Sequence, residues 1–253
     1  MYKNVIVKTP GKSYVKGLTT SSLGIPDYEK VLKQHAAYVE ALQKCGVMVT
    51  HLPASEQFPD STFVEDTAVL TPEFAVITNP GAASRNGEIK GMETVLEKFY
   101  EKFYHIQSPG TLDGGDILQI EDHFYIGISD RTNEAGARQL KDILTSENYK
   151  ATIVPLKEFF HLKTGITYLG DNLVVAAGEF IDHPAFAPYQ KIIVPPEEEY
   201  SANCILVNDY VLIPKGFETT KRNIQAAGYK TIELEMSEFQ KQDGGLSCLS
   251  LRF

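Results

Sequence analysis

The chain has 253 residues, 43% of them hydrophobic, enough for a full core, and 33 acidic against 24 basic residues leave a net charge of -9. That balance disfavours nucleic acid and suits small cationic ligands. Cys45, Cys204 and Cys248 are too few and scattered for a disulfide framework, no apolar run approaches a membrane span, and no basic stretch with a long apolar core opens the chain, so a soluble, cytoplasmic protein is expected.

In chain order, the first strong element is a helix in "DYEKVLKQHAAYVEALQKCG": Asp27 suits the N-cap, apolar side chains recur at 28, 31, 32, 35, 38, 39 and 42, and Gly46 closes it. "VEDTAVLTPEFAVITNPG" then reads as strand, turn and strand. "GGDILQIEDHFYIG" repeats that order and runs into a helical stretch, "RTNEAGARQLKDIL". "YLGDNLVVAAGEF" is a partial copy, and Ala202 to Leu234 gives the fullest one: strand, Asn-Asp turn, strand, Gly turn, helix, strand. The entrances to these units fall near residues 17, 66, 115, 170, 203 and 246. They fit a closed ring of about five ββα modules with its entrances around one axis, and equally a mixed α/β sheet with accidental similarity. No Pro/Ser linker or charge block divides the chain, so residues 1–253 are expected to form one domain.

The residues with chemical potential lie at these entrances. "PDSTFVEDTAVL" holds Asp60, Glu65 and Asp66; adjacent acids at a strand entrance point to opposite faces, so at most one of Glu65 and Asp66 is expected to follow the core-facing side chains. Taken locally, the three read as solvated or capping acids, of interest only if they line a pocket for a guanidinium or ammonium. "TLDGGDIL" repeats the pattern with Asp113 and Asp116 around two glycines that permit a tight, closely packed turn. His161 in "FFHLKTGITYL", taken by itself, reads as a packing residue rather than a base. Cys45 and Cys204 sit in helix-end and strand contexts that packing explains, whereas Cys248 follows the glycine turn of "DGGLSC". Such a turn exposes a sulfur, and nearby cations or amide dipoles would favour the thiolate. Metal-ligand spacings, GxGxxG and Walker motifs are missing, so neither a metal nor a nucleotide cofactor is expected.

Taken together, "GLTTSSLGIPDY", "FPDSTFVEDTAVL", "NPGAASRNGE", "PGTLDGGDIL", "DRTNEAGARQ", "HLKTG", "ANCILVN" and "DGGLSCLSLRF" resemble, in order, the dimethylarginine dimethylaminohydrolases, especially the short bacterial form. The resemblance implies the fold of the guanidino-group modifying superfamily, a five-bladed α/β propeller (pentein) of ββα-type repeats with pseudo-five-fold symmetry. It implies Cys248 as nucleophile, His161 as general acid/base and Asp113 as the third catalytic acid, where some relatives have the longer Glu. It places Asp60, Glu65 and Asp66 around the guanidinium and distal substrate, Arg85 and Arg131 on an α-carboxylate, and carbonyls of Leu18 and Gln242 toward the substrate. The "KGLTTSSLG" loop resembles a mobile lid with Gly17 and Gly24 as hinges. The implied activity is hydrolysis of methylated arginines to citrulline and an amine, with no cofactor and a small cationic guanidino amino acid as the partner. Nucleic acid and membrane are not expected partners, and a homodimer stays open. Arginine deiminase, a citrulline hydrolase and a catalytically silent guanidino-binding protein are the alternatives.

Overall fold

Several strands carry continuous apolar runs, Val5–Val7, Ala75–Ile77, Leu173–Ala176 and Val211–Pro214 among them, a pattern that requires both faces of a sheet to be covered. A computed structural model describes all 253 residues and shows how: five separate three-stranded sheets stand around one axis. In each blade a first strand pairs antiparallel with a second, and the second pairs parallel with a third. Blade one contains Ala68–Leu70, Ala75–Ile77 and Phe103–His105. Blade two contains Ile117–Ile120, His123–Ile128 and Lys150–Pro155. Blade three contains Ile166–Gly170, Leu173–Ala176 and Gln190–Ile193, and blade four Ile205–Val207, Tyr210–Pro214 and Lys230–Leu234.

Blade five joins the chain's ends. Asn4–Lys8 pairs in parallel with Met48–Leu52 and antiparallel with Leu251–Arg252, in the register Val5 to Arg252 and Ile6 to Leu251. The Phe253 carbonyl accepts from the amides of Lys3 and Asn4, and the Phe253 amide returns a bond to the Asn4 carbonyl.

Local chemistry explains the connections. The Asn-Asp turn predicted at 208 joins the first two strands of blade four, with Asn208 at φ 53°. Asp171 and Asn172, at φ 48° and 60°, make the equivalent turn in blade three, a conformation that Asn and Asp tolerate better than most residues. The predicted helix is Tyr28–Lys44; Asp27 accepts from the amides of Glu29 and Lys30, and Gly46 closes it at φ 83°. Asn133 caps Glu134–Ser146 through the Gly136 amide.

Two expected entrances move. Gly170 and Asp171 belong to a hairpin, and the entrance to blade three is instead the turn Leu162–Gly165 before Ile166. Residue 17 follows a short 3-10 helix, Lys12–Lys16, and leads into a loop; the first strand of blade five comes from the other end of the sequence. Blade three also departs from the repeat, since 3-10 turns at Gly178–Phe180 and Pro184–Phe186 replace its helix.

The core is five seams between neighbouring blades rather than one central mass. Val5 and Val7 pack toward Ile205, Val207 and Leu212 of blade four, while Ile6 and Leu251 face Ala68, Ala75 and Ile77 of blade one. Val211 and Ile213 meet Leu169 and Val175 of blade three, whose Val174 and Ala176 face Leu118 and Tyr125 of blade two. Ile117, Phe124 and Ile126 of blade two then close the circuit against Val69, Phe74 and Val76 of blade one. Alternate residues of one strand thus serve different seams. No helix is long and apolar enough to cross a membrane.

Candidate active site

Four entrance turns bring reactive side chains to one end of the axis. The turn Val64–Thr67 carries Glu65 and Asp66; Gly114–Asp116 follows Asp113; Leu162–Gly165 follows His161; Ser247–Leu249 carries Cys248. Both Glu65 and Asp66 are buried, against the expectation that at most one would be. The reason is local: the segment is a 3-10 turn, with three residues per turn, so its neighbours do not alternate as they would in a strand. Asp60 is buried as well, which removes the reading of these acids as solvated.

A pocket at this end is lined by Leu18, Phe63, Asp66, Arg85, Asp113, Arg131, Phe160, His161, Gln242, Asp243, Gly244 and Cys248. Of the catalytic and substrate-binding residues that the resemblance implies, only Asp60 and Glu65 stand outside this lining. Asp60 lies against the 17–24 loop, where its Oδ1 accepts the Leu18 amide at 2.9 Å and would meet a Cβ on Gly17 at 2.5 Å. Gly17 is required by that close approach, and its φ of -62° is ordinary. The Gln242 side chain, with its nitrogen turned inward, donates to the carbonyls of Gly17 and Leu18 at 3.1 and 3.2 Å. Further latches tie the loop to the 241–243 segment: Thr19 Oγ1 donates to the Lys241 carbonyl and the Thr20 amide to Asp243 Oδ2.

Glu65 faces the other way. Its Oε1 accepts from Lys163 Nζ at 2.6 Å and Arg252 Nη2 at 2.8 Å. These three side chains also line a central cavity of about 1410 Å³ opening at the opposite end of the propeller. They form a charged floor between that cavity and the pocket. The pocket itself is small, with about 30 Å³ of free space.

Three side chains pin the turn that carries Cys248. Tyr38 donates to the Leu246 carbonyl and shares a bond with Ser250 Oγ, Tyr200 donates to the Gly244 carbonyl, and Asn203 holds Ser247 by its amide and hydroxyl. Cys248 is half-buried while its neighbours Ser247 and Leu249 are buried, so its sulfur is the atom the turn presents. The thiolate expected from the sequence is not favoured here. Burial, then the carboxylates of Glu65 and Asp66, push the thiol up to about 12, against weaker help from the Gly245 amide and Ser247.

His161 Nε2 lies 3.4 Å from Asp113 Oδ2, an ion-pair separation too long for a well-formed hydrogen bond, and neither atom has another partner. The aspartate's short reach is consistent with that gap, since its Oδ1 is held by the Gly81 amide at 2.8 Å. Burial pulls the imidazole down, but Asp116, Asp113 and Asp66 together outweigh it and lift His161 to about 9. Burial works against the Asp113 carboxylate too, yet His161, Arg85 and the Gly81 amide hold it below the usual range. Gly115 makes the grouping possible: a Cβ there would lie 2.5 Å from His161 Nδ1 and 3.0 Å from Asp66 Oδ1.

The two arginines differ. Arg85 is buried and nearly saturated, with Nη1 on Asp66 Oδ2 at 2.6 Å, Nε and Nη2 on Glu88, and Nη2 also on the Phe63 carbonyl. Arg131 has no carboxylate partner; its guanidinium stands 5.0 Å above the Phe160 ring. Sequence reasoning did not single out Glu88, Lys163, Arg252, Phe160 or Asn203. For Glu88 a signal was available, an acid three residues after an arginine in a Gly-containing loop.

Comparison with known proteins agrees with this geometry. The family model for eukaryotic N,N dimethylarginine dimethylhydrolase matches residues 25–195. Over 254 aligned residues the chain is 50% identical to the N(G),N(G)-dimethylarginine dimethylaminohydrolase of Pseudomonas aeruginosa, with both chains covered in full. The chain belongs to the dimethylarginine dimethylaminohydrolase family. A further dimethylarginine dimethylaminohydrolase, from Streptomyces coelicolor, is 33% identical, with 99% of this chain and 96% of that one covered. Among solved structures, the Pseudomonas aeruginosa dimethylarginine dimethylaminohydrolase, as a serine-for-cysteine mutant complexed with citrulline, superposes with a TM-score of 0.99 at 49% identity over the whole of both chains. The N-terminal domain of a cyanobacterial arginine dihydrolase reaches 0.88 at 19% identity, covering 100% of this chain and 97% of its own, a likeness of fold alone. The dimethylarginine dimethylaminohydrolase fold is therefore the five-bladed pentein expected from the resemblance, now seen with its ring closed by blade five.

Proposed function

We propose that this chain hydrolyses Nω-methylated L-arginines to L-citrulline and dimethylamine or methylamine, with Cys248 as the nucleophile. One observation carries the reading: Cys248, His161, Asp113 and Asp66 line a single pocket in a chain 50% identical throughout to a named dimethylarginine dimethylaminohydrolase. A free thiol in the pocket, with Cys45 and Cys204 also unpaired, suits the reducing cytoplasm.

The charges of the empty pocket suggest the order of events. A buried thiol beside carboxylates stays protonated until a cation arrives, and the substrate guanidinium is that cation. Its charge offsets those of Glu65 and Asp66, the Cys248 proton leaves to solvent, and the thiolate attacks the central guanidinium carbon. His161 is held protonated at neutral pH, so it donates its proton to the departing nitrogen as the C–N bond breaks. Dimethylamine leaves and a thiouronium adduct remains on sulfur. The neutral His161 then takes a proton from water, the hydroxide adds to the same carbon, and the C–S bond breaks. The adduct's hydroxyl proton returns to sulfur, which restores the thiol and releases citrulline. Asp113 steadies the imidazolium, Asp66 orients the guanidinium, and Arg131 offers the free cation for an α-carboxylate.

The test is to incubate the protein separately with asymmetric dimethylarginine, monomethylarginine, arginine and citrulline and identify the amine released. Dimethylamine and methylamine from the first two are expected. Ammonia from arginine alone would replace this reading with a deiminase, and no amine from any of the four would remove the enzymatic reading.

A further inference from the structure

Asp116 is fully buried and lies outside the pocket lining. It stands on the same turn as Asp113, and the two carboxylates grip one neighbour from two sides. Asp113 faces the His161 ring, whereas Asp116 Oδ1 accepts from the Leu162 amide, the peptide that leaves His161, at 3.1 Å. The other oxygen reaches a different loop, with Ser129 Oγ donating to Asp116 Oδ2 at 2.6 Å. Ser129 Oγ in turn accepts from the amides of Arg131 and Thr132 at 3.0 and 3.2 Å, and Thr132 Oγ1 accepts from the Asp113 amide at 3.1 Å. Packing is close on the Gly127 side of the carboxylate. A Cβ on Gly127 would stand 3.0 Å from its Oδ1 and 3.1 Å from Leu162 Cβ.

We propose, on the basis of the function inferred above, that Asp116 is a positioning residue that couples the two ends of the substrate site, one oxygen orienting His161 for proton transfer and the other, through Ser129, orienting Arg131 for the α-carboxylate. A structural carboxylate would need only to be satisfied; this one is satisfied by the two segments that must act together across a substrate. It also contributes charge. Among the groups facing His161, namely Asp116, Asp113 and Asp66 from the entrance turns and the Cys248 thiol across the pocket, Asp116 raises the imidazole most through charge alone, while Asp113 acts through both a long hydrogen bond and charge.

Two variants separate the arms. Asp116→Asn keeps the shape and an acceptor for the Leu162 amide while removing the charge. It is expected to lower kcat roughly 10- to 100-fold, the scale of a misplaced catalytic group, and to move the alkaline limb of the rate profile to lower pH. Ser129→Ala removes the donor to Asp116 Oδ2 and the acceptor for the Arg131 and Thr132 amides, while the Leu162 arm keeps its bond. It is expected to raise KM for dimethylarginine roughly 3- to 10-fold, the value of one neutral hydrogen bond, with no such penalty for a decarboxylated analogue.

A readout independent of turnover completes the test: an NMR titration of the His161 ring, whose midpoint is expected to fall in Asp116→Asn and to stay in place in Ser129→Ala. An unchanged midpoint and alkaline limb in Asp116→Asn overturn the proposal. If that variant does not fold, Ser129→Ala decides, and equal penalties on dimethylarginine and its decarboxylated analogue overturn it. Should the parent release no amine from any methylarginine, the proposed function falls while the titration still reads the coupling.

Discussion

In the proposed reaction Cys248 starts as a thiol, and its reactivity depends on the arrival of positive charge. Cys248→Ser is expected to keep the fold and to bind dimethylarginine without releasing dimethylamine, because a hydroxyl has no comparable access to its anion; measurable turnover in that variant would overturn the nucleophile assignment. His161 sets the alkaline side. A general acid held near 9 predicts that activity falls as pH rises through about that value, when the imidazolium loses its proton, and an initial-rate profile of the parent protein shows whether it does. Arg131 makes the selectivity testable. Loss of its contact with a carboxylate is worth about 1.5–3 kcal/mol, so Arg131→Ala is expected to penalise dimethylarginine far more than a decarboxylated analogue, as read from the two KM values. Cys248 drew notice locally through its glycine turn, whereas His161 and Asp113 took their proposed roles only from the resemblance, because their pocket neighbours come from other entrance turns. The pairing of Arg85 with Asp66 and Glu88 was half hidden, since partner choice for a buried guanidinium depends on which of several nearby acids the fold turns toward it.

At the scale of elements, the entrance turn is the unit of function. Gly114–Asp116 presses one glycine against the Glu65 carbonyl and the next against His161. Gly115→Ala is therefore expected to displace the imidazole and lower kcat by about 100-fold, with a stability loss of roughly 1–3 kcal/mol from overpacking; kinetics and urea unfolding on the same variant separate the two effects. The capped helix and the Asn208 turn were readable from sequence because their signals are local: an Asp before an amphipathic run, and an Asn-Asp pair between two short strands. The missing helix of blade three was not read. Pro184 and Pro188 divide that stretch, and each resists continuation of an α-helix while permitting 3-10 turns. Burial of both Glu65 and Asp66 was hidden for a related reason, because strand alternation was applied to a segment that is a turn.

For the molecule as a whole, the division of the core into five seams means that each blade is stabilised only by two neighbours. A ring of that kind has no outer blade to fray, so urea unfolding followed by far-UV circular dichroism and by tyrosine fluorescence is expected to give coincident single transitions. Separated midpoints would mean that the seams melt independently. Repetition and a ring were legible in the chain, whereas the pairing that closes the ring was not: Val5 and Arg252 pair across nearly the whole sequence, and no local pattern announces a contact at that separation. The same pairing places the Phe253 backbone against Lys3 and Asn4, so the two ends of the polypeptide are already neighbours. Covalently linking them and cutting the chain at the Glu121–Asp122 hairpin would change the order in which the blades are synthesised while leaving every seam in place. Which blade is stitched from two ends is then a matter of where the circle happens to be opened.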